Sequence, residues 1–216
     1  MIAFMSRRIL LIALLTASFV RAQEAPAAGP PRGTLIVIGG GRVGPAILDR
    51  FTAAAGGPDA NIVVIPTAGE AASYPPDWGG ARFLGERFKN ITVLHTRDRA
   101  QADSEEFAAS LQRAGGVWIS GGRQWRLVDS YLGTRTEREL HALLARGGVI
   151  AGTSAGATIQ GSYLVRGARE GNTIMMAKGY EQGFGFLRNV AVDQHLLKRK
   201  RENDLVPVVQ AHPELL

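Results

Sequence analysis

Residues 149–158, VIAGTSAGAT, read as a short buried strand, a turn bounded by glycine on both sides, and the start of a helix. The G-x-S-x-G spacing over Gly152-Thr153-Ser154-Ala155-Gly156, set between strand and helix, is the pattern of a nucleophile elbow. Such a turn presents a serine hydroxyl at the carboxyl edge of a parallel sheet and points helix-terminal N–H groups at the same spot. Ser154 is therefore the candidate nucleophile, and the N–H of Ala155 the first candidate oxyanion donor.

Working outward, the same alternation recurs. Short apolar, β-branched runs stand at residues 34–38 (TLIVI), 61–65 (NIVVI), 91–95 (ITVLH) and 117–120 (VWIS), each followed by glycine, proline or polar residues. Between them the apolar spacing predicts helices over 43–55, 81–89, 103–113, 124–132 and 136–146, and one after the elbow over 155–160. Strands with no polar alternation, separated by helices of about ten residues, indicate an α/β fold. The expectation is a doubly wound, mostly parallel sheet flanked by helices, with its ligands at the carboxyl ends of the strands.

Residues 1–8 are a short basic start, 9–20 an apolar run of twelve, and Val20-Arg21-Ala22 fits a cleavage site. Spanning a bilayer takes roughly 20 apolar residues, so 1–22 reads as a signal peptide rather than an anchor. The expected organisation is a leader over 1–22, a Pro/Ala/Gly-rich linker over 23–33 and one domain over 34–216. That implies an exported protein, periplasmic or extracellular, with no membrane attachment after cleavage. The chain has no cysteine, which excludes disulfides, thiolate metal sites and a cysteine nucleophile. Its net charge is +6, but Arg7, Arg8 and Arg21 supply half of that from the leader. A body so mildly basic gives no argument for a nucleic-acid partner.

A serine nucleophile needs a base. Of the four histidines, His95 reads as a strand end, His141 as a helix-surface residue and His212 as a turn residue before Pro213. His195 follows the apolar-leaning stretch 190–193 within Asp193-Gln194-His195, so it is expected to emerge at a strand's carboxyl end beside the elbow. Gly121-Gly122, after the fourth strand, can expose a second oxyanion donor, and Gln124 opens the next helix. Gly39-Gly40-Gly41-Arg42-Val43-Gly44 matches G-x-G-x-x-G, the dinucleotide fingerprint. The acid expected after the second strand is absent from Ile65-Pro66-Thr67-Ala68, so these glycines read as a turn bordering the cleft and no cofactor is expected. Lys198-Arg199-Lys200-Arg201, just past His195, is suited to recognising carboxylates.

Taken together, Gly121-Gly122-x-Gln124, Gly152-Thr153-Ser154-Ala155-Gly156-Ala157 and Asp193-Gln194-His195-x-x-x-Arg199-x-Arg201 resemble the cyanophycinase family of serine peptidases. These are relatives of peptidase E within the class I glutamine amidotransferase-like fold. The resemblance implies Ser154 as nucleophile, His195 as general base and an oxyanion hole near Gly122 and Ala155. It implies a substrate pocket lined by Gln124, Asp193, Gln194, Arg199 and Arg201, with no metal and no cofactor. The implied substrate is a peptide or polypeptide, either β-aspartyl-arginine polymer (cyanophycin) or small aspartyl or isoaspartyl peptides, and the implied assembly is a homodimer. A non-catalytic paralogue is the alternative of a different class. Asp204 stands where the family pattern carries a third arginine. The family's histidine-orienting acid lies on a strand expected beyond Leu216, with Glu170 a substitute inside the chain that no motif supports. The domain is thus expected to lack its C-terminal strands, and the 216-residue chain to be weakly active or inactive.

Overall fold

The computed structural model describes residues 28–215; the leader read over 1–22 and the linker residues 23–27 lie outside the described residues. Five apolar runs form one parallel sheet. β1 (Thr34–Ile38), β2 (Asn61–Ile65), β3 (Asn90–Val93), β4 (Gly116–Ile119) and β5 (Val149–Thr153) stand in the order β1-β5-β4-β2-β3. Every neighbouring pair is parallel and in continuous register, for example Ile36 opposite Ala151 and Trp118 opposite Ala151.

Because side chains alternate along a strand, the central strands β2, β4 and β5 feed two cores. Val63, Ile65, Val117, Ile119 and Ile150 face one side, where they meet α3 (Arg99–Ala102), α4 (Glu105–Gln112), α5 (Gln124–Tyr131) and α6 (Arg135–Ala145) through Ala102, Leu111, Leu127 and Leu140. Ile62, Val64, Trp118, Val149 and Ala151 face the other, against Leu48 and Phe51 of α1 (Pro45–Ala55) and Leu84 of α2 (Arg82–Gly85). Each large side chain removed from water on either face contributes about 1.5–3 kcal/mol. Two buried faces explain why these strands read as unbroken apolar runs. The architecture is the doubly wound α/β sandwich expected from the sequence.

Local signals set the ends of the elements. α1 begins with Pro45 at its first position and stops at Gly56, whose φ of 100° closes the helix by bonds to the Ala53 and Thr52 carbonyls. α4 starts where Ser104 accepts the Phe107 N–H at 3.2 Å, as the Ser104/Glu105 pattern predicts. The helix expected over 81–89 is much shorter: a 3-10 turn at Gly79–Ala81 runs into the single turn of α2, which ends at Gly85. Glycine is a weak helix former, and four residues of context cannot offset it.

Past the elbow, α7 (Ala155–Thr158) leads into β6 (Gly161–Tyr163), which pairs in parallel with β7 (Leu187–Ala191) as a separate two-stranded sheet. α8 (Leu196–Arg199) and α9 (Val206–Ala211) follow. The strand expected to carry His195 is therefore present, but as β7 of this small sheet rather than a member of the main one. Residues 28–33, read as linker, reach this layer: the Arg188 N–H donates to the Ala28 carbonyl at 2.7 Å.

Candidate active site

The turn between β5 and α7 is built by close approach. A Cβ at Gly152 would lie 2.0 Å from the Gly156 carbonyl oxygen, and one at Gly156 would lie 2.1 Å from that of Ile119. Only hydrogen fits at either position, which is the physical content of the glycines in the motif. Between them Ser154 is driven to φ 56°, ψ −115°, a conformation that costs a non-glycine residue about 1–3 kcal/mol. The Ser154 N–H is anchored to the Ile38 carbonyl at 2.9 Å, so the strained residue sits over the ends of β1 and β5.

His195 reaches the same place from the other layer. After β7 the chain turns through Asp193-Gln194-His195, and the His195 N–H donates to the Gly39 carbonyl at 2.9 Å. His195 has φ 55°, and its ring lies flat against Gly40, where a Cβ would come within 2.2 Å of Cε1. The glycine turn after β1 is thus the seat of an imidazole, which accounts for a dinucleotide-like pattern without a dinucleotide. Nε2 of His195 stands 3.0 Å from Ser154 Oγ.

The Ser154 hydroxyl also donates to Gln194 Oε1. A hydroxyl has one proton, so with the amide in this orientation His195 Nε2 must be the donor to Oγ. Turning the Gln194 amide end for end places its NH2 on Oγ and leaves the serine proton for His195.

Burial lowers the His195 pKa below its ordinary value; the cations of Arg199 and Arg201 push it the same way, and the charge of Asp193 opposes them. The ring is therefore held towards its neutral, proton-accepting form. Among the described residues no carboxylate bonds to its Nδ1. Glu170 is exposed and is not hydrogen-bonded to it.

Two expected pocket residues are placed differently. Both carboxylate oxygens of Asp193 are taken by Arg166, at 2.7 Å from Nε and 2.8 Å from Nη2, and neither side chain is more than 1% exposed. Asp193 also accepts the Gln194 N–H at 2.7 Å. With its lone pairs used inside the protein, Asp193 fixes the turn that carries His195 rather than meeting a ligand. Gln124 is likewise fully buried: its Nε2 donates to the Val165 carbonyl at 3.4 Å and its Oε1 has no partner among the described residues. Glutamine at the start of a helix looked like a ligand contact in sequence, but it points into the interface between layers.

The oxyanion candidates lie at the elbow, and the two arginines line a separate cavity next to the turn that carries His195. The Gly122 N–H has no acceptor among the described residues, whereas that of Arg123 is occupied by the Ala68 carbonyl at 2.8 Å. Ala155 opens α7, where N–H groups lack intrahelical partners. Arg199 and Arg201 line a cavity of about 520 Å3 together with Lys200, Thr173 and Asp204. Arg201 is nearly buried, its Nη1 donating to the Gln194 carbonyl at 3.1 Å, while Arg199 is exposed. Asp204 turns inward to Arg166 Nη2 at 2.5 Å.

Sequence reasoning missed Arg166, because nothing in its surroundings marks it before the layers are assembled; its φ of 60° and its carboxylate partners appear only in three dimensions. It also passed over Trp78, which lies among the prolines and glycines of a loop and forms part of a second cavity beside Ser154.

A family model described as Peptidase family S51 matches residues 35–215. A cyanophycinase from Geminocystis herdmanii (strain PCC 6308) is 32% identical over 190 residues, which cover 86% of this chain and 70% of that protein. A cyanophycinase from Trichormus variabilis (strain ATCC 29413 / PCC 7937) is 35% identical over 196 residues, covering 84% of this chain and 63% of that one, so the chain spans less than two thirds of its length. Among solved structures, a peptidase from an acI-B1 Actinobacterium superposes with a TM-score of 0.63 at 22% identity, covering 85% of this chain and 78% of that chain, a likeness of fold.

Proposed function

The chain belongs to peptidase family S51, and from that membership and the Ser154–His195 contact we propose that it is a serine peptidase cleaving amide bonds at aspartyl residues. The single observation that carries this reading is the 3.0 Å separation of His195 Nε2 and Ser154 Oγ over a strained elbow. In the reaction, His195 Nε2 takes the hydroxyl proton as Oγ attacks the scissile carbonyl carbon. The N–H groups of Ala155 and Gly122 face the oxyanion. His195 then gives its proton to the departing amine, and water, deprotonated by the same imidazole, releases the acyl group and restores the serine. Arg199 and Arg201 hold a substrate carboxylate. Their charge favours an acidic acyl residue and keeps the base neutral between turnovers. The reading of residues 1–22 supports an enzyme acting outside the cytoplasm.

The first substrate class is β-aspartyl-arginine polymer, by analogy with the cyanophycinases. A second, small α- or β-aspartyl peptides, is favoured by Asp204, whose carboxylate pairs with Arg166 where the family pattern supplies one more cation for the pocket. Incubation with cyanophycin and with aspartyl dipeptides, followed by chromatography of the products, separates the two. β-Aspartyl-arginine from the polymer is the result expected of the first class and free aspartate from the dipeptides that of the second. Hydrolysis of neither overturns both.

The pH dependence carries a defined sign. A base whose pKa is lowered stays deprotonated to more acid solution, so the acid limb of kcat/KM should have its midpoint below histidine's ordinary value of 6.5. Replacing both Arg199 and Arg201 by glutamine removes two of the causes and should move the limb upward. A wild-type limb above 6.5 in a pH–rate profile contradicts the described surroundings of His195.

A further inference from the structure

A cavity of about 470 Å3 opens beside the nucleophile, and nothing in the mechanism above uses it. It is lined by segments that follow β1, β4 and β5 and by the loop around 78–83, and it shares no lining residue with the cationic cavity of Arg199 and Arg201. Its volume falls within the range of about 300–1,000 Å3 typical of small-ligand pockets. Thr153 and Gly121 form the wall nearest the reacting atoms; a Cβ at Gly121 would lie 3.6 Å from Ser154 Oγ. A group in this cavity therefore sits next to the scissile bond.

Its lining is aromatic. Trp118, 1% exposed, forms the floor. Phe83 meets it edge to face at a centroid separation of 5.0 Å, and Trp78 is braced by Tyr74, also at 5.0 Å. Arg42 is the one charged side chain in the lining. Aromatic faces attract both apolar groups and cations, and Arg42 decides between them: a second cation would enter beside a guanidinium, in a site whose other side already carries Arg199 and Arg201. An uncharged, preferably aromatic, side chain meets no such repulsion and displaces water from the partly exposed rings of Trp78 and Phe83.

We infer that this cavity is the subsite for the residue on the leaving side of the scissile bond, and that it selects apolar or aromatic side chains over cationic ones. The inference rests on the peptidase reading in its aspartyl-peptide form, with the acidic residue on the Arg199/Arg201 side and the apolar residue against Trp78.

Two measurements test it separately from that reading. First, the Ser154→Ala protein is titrated with Asp-Phe, Asp-Gly and Asp-Arg in α and β linkage while the indole N–H signals of Trp78, Trp118 and Trp125 are followed by NMR. Asp-Phe should shift Trp78 and Trp118 but not Trp125, which lies outside this cavity, and should saturate at a concentration at least tenfold lower than Asp-Gly or Asp-Arg. Equal affinity for the three peptides, or shifts that spare Trp78 and Trp118, overturns the subsite. Second, wild type, Trp78→Ala and Arg42→Glu are compared for kcat/KM on the same peptides. Trp78→Ala should cost Asp-Phe tenfold or more, mainly in KM, and change Asp-Gly little. Arg42→Glu, a change on the exposed rim that does not touch the core, should raise the Asp-Arg to Asp-Phe ratio severalfold. An unmoved ratio in both variants also overturns the inference. Peptide-selective shifts at Trp78 and Trp118 with no hydrolysis by wild type leave the subsite standing and defeat the peptidase reading instead.

Discussion

Ser154→Ala is expected to lower kcat on an aspartyl peptide by on the order of 10², because no carboxylate among the described residues orients His195 and a serine–histidine pair without its acid has already lost most of its advantage. The fold should scarcely notice. Alanine keeps the Cβ that already occupies the elbow, and the hydroxyl's two hydrogen bonds go to the side chains of His195 and Gln194, neighbours on a turn held independently by Asp193. The substrate's contacts with Arg199 and Arg201 are untouched, so its Kd measured by calorimetry should stay within about twofold. The measurement is a progress curve on wild type and variant at equal concentration, with circular dichroism to show that both are folded. Retention of more than about a tenth of the wild-type rate moves the reacting atom away from Ser154 Oγ and with it the whole assignment of roles. The expected signature is loss in kcat alone, because the missing interaction is made only as the reaction proceeds.

Much of this site was legible in the sequence because its requirements are local. Gly152 and Gly156 are needed for contacts of about 2 Å within one turn, so the serine between them is marked by its immediate neighbours. β2, β4 and β5 are marked in the same way, since strands buried on both faces must be apolar throughout, and β1 is equally apolar although it stands half-exposed at the sheet edge. His195 was found from its place after an apolar-leaning stretch, although β7 pairs with β6 and not with the main sheet. What stayed hidden depends on distant partners. β6, Gly-Ser-Tyr, and β7, Leu-Arg-Asn-Val-Ala, form a two-stranded pair too short and too polar to show a period. Asp193 was expected in the substrate pocket only because the family resemblance implied it. Its burial follows from Arg166, 27 residues earlier and on the other strand's side of the small sheet. Asp204 repeats the lesson: read as a departure from an arginine pattern, it is an ion-pair partner of that same Arg166.

Arg166 is where stability and chemistry meet, and its replacement should show both. The side chain is 1% exposed and makes four charged or carbonyl contacts: two to Asp193, one to Asp204, and one from Nη1 to the Asn172 carbonyl at 2.7 Å. Burial alone would lower the guanidinium's pKa, but the bonds to the two carboxylates outweigh it and raise the pKa, so the group stays charged. Arg166→Ala removes the cation and leaves Asp193 buried with an uncompensated charge, a change that typically costs about 3–5 kcal/mol. For a domain of this size that is a fall in Tm of about 6–20 °C. Asp204 adds little to the loss, since its side chain is 39% exposed and can turn to solvent. If the penalty is the orphaned charge, adding Asp193→Asn should restore a large part of it, and chemical denaturation of the two single variants and the double variant measures that coupling. Arg166→Lys keeps the charge but not the paired donors, and should fall between wild type and alanine. The kinetic effect has a different sign of origin. Asp193 holds the Gln194 N–H, and the residue after Gln194 is the base, so a loosened Asp193 lets His195 wander from Ser154 Oγ. Under conditions where the variant remains folded, kcat should therefore drop by more than KM rises. Equal stability of wild type and Arg166→Ala, or a variant whose loss lies wholly in KM, means that the turn bearing His195 is held by something other than this ion pair.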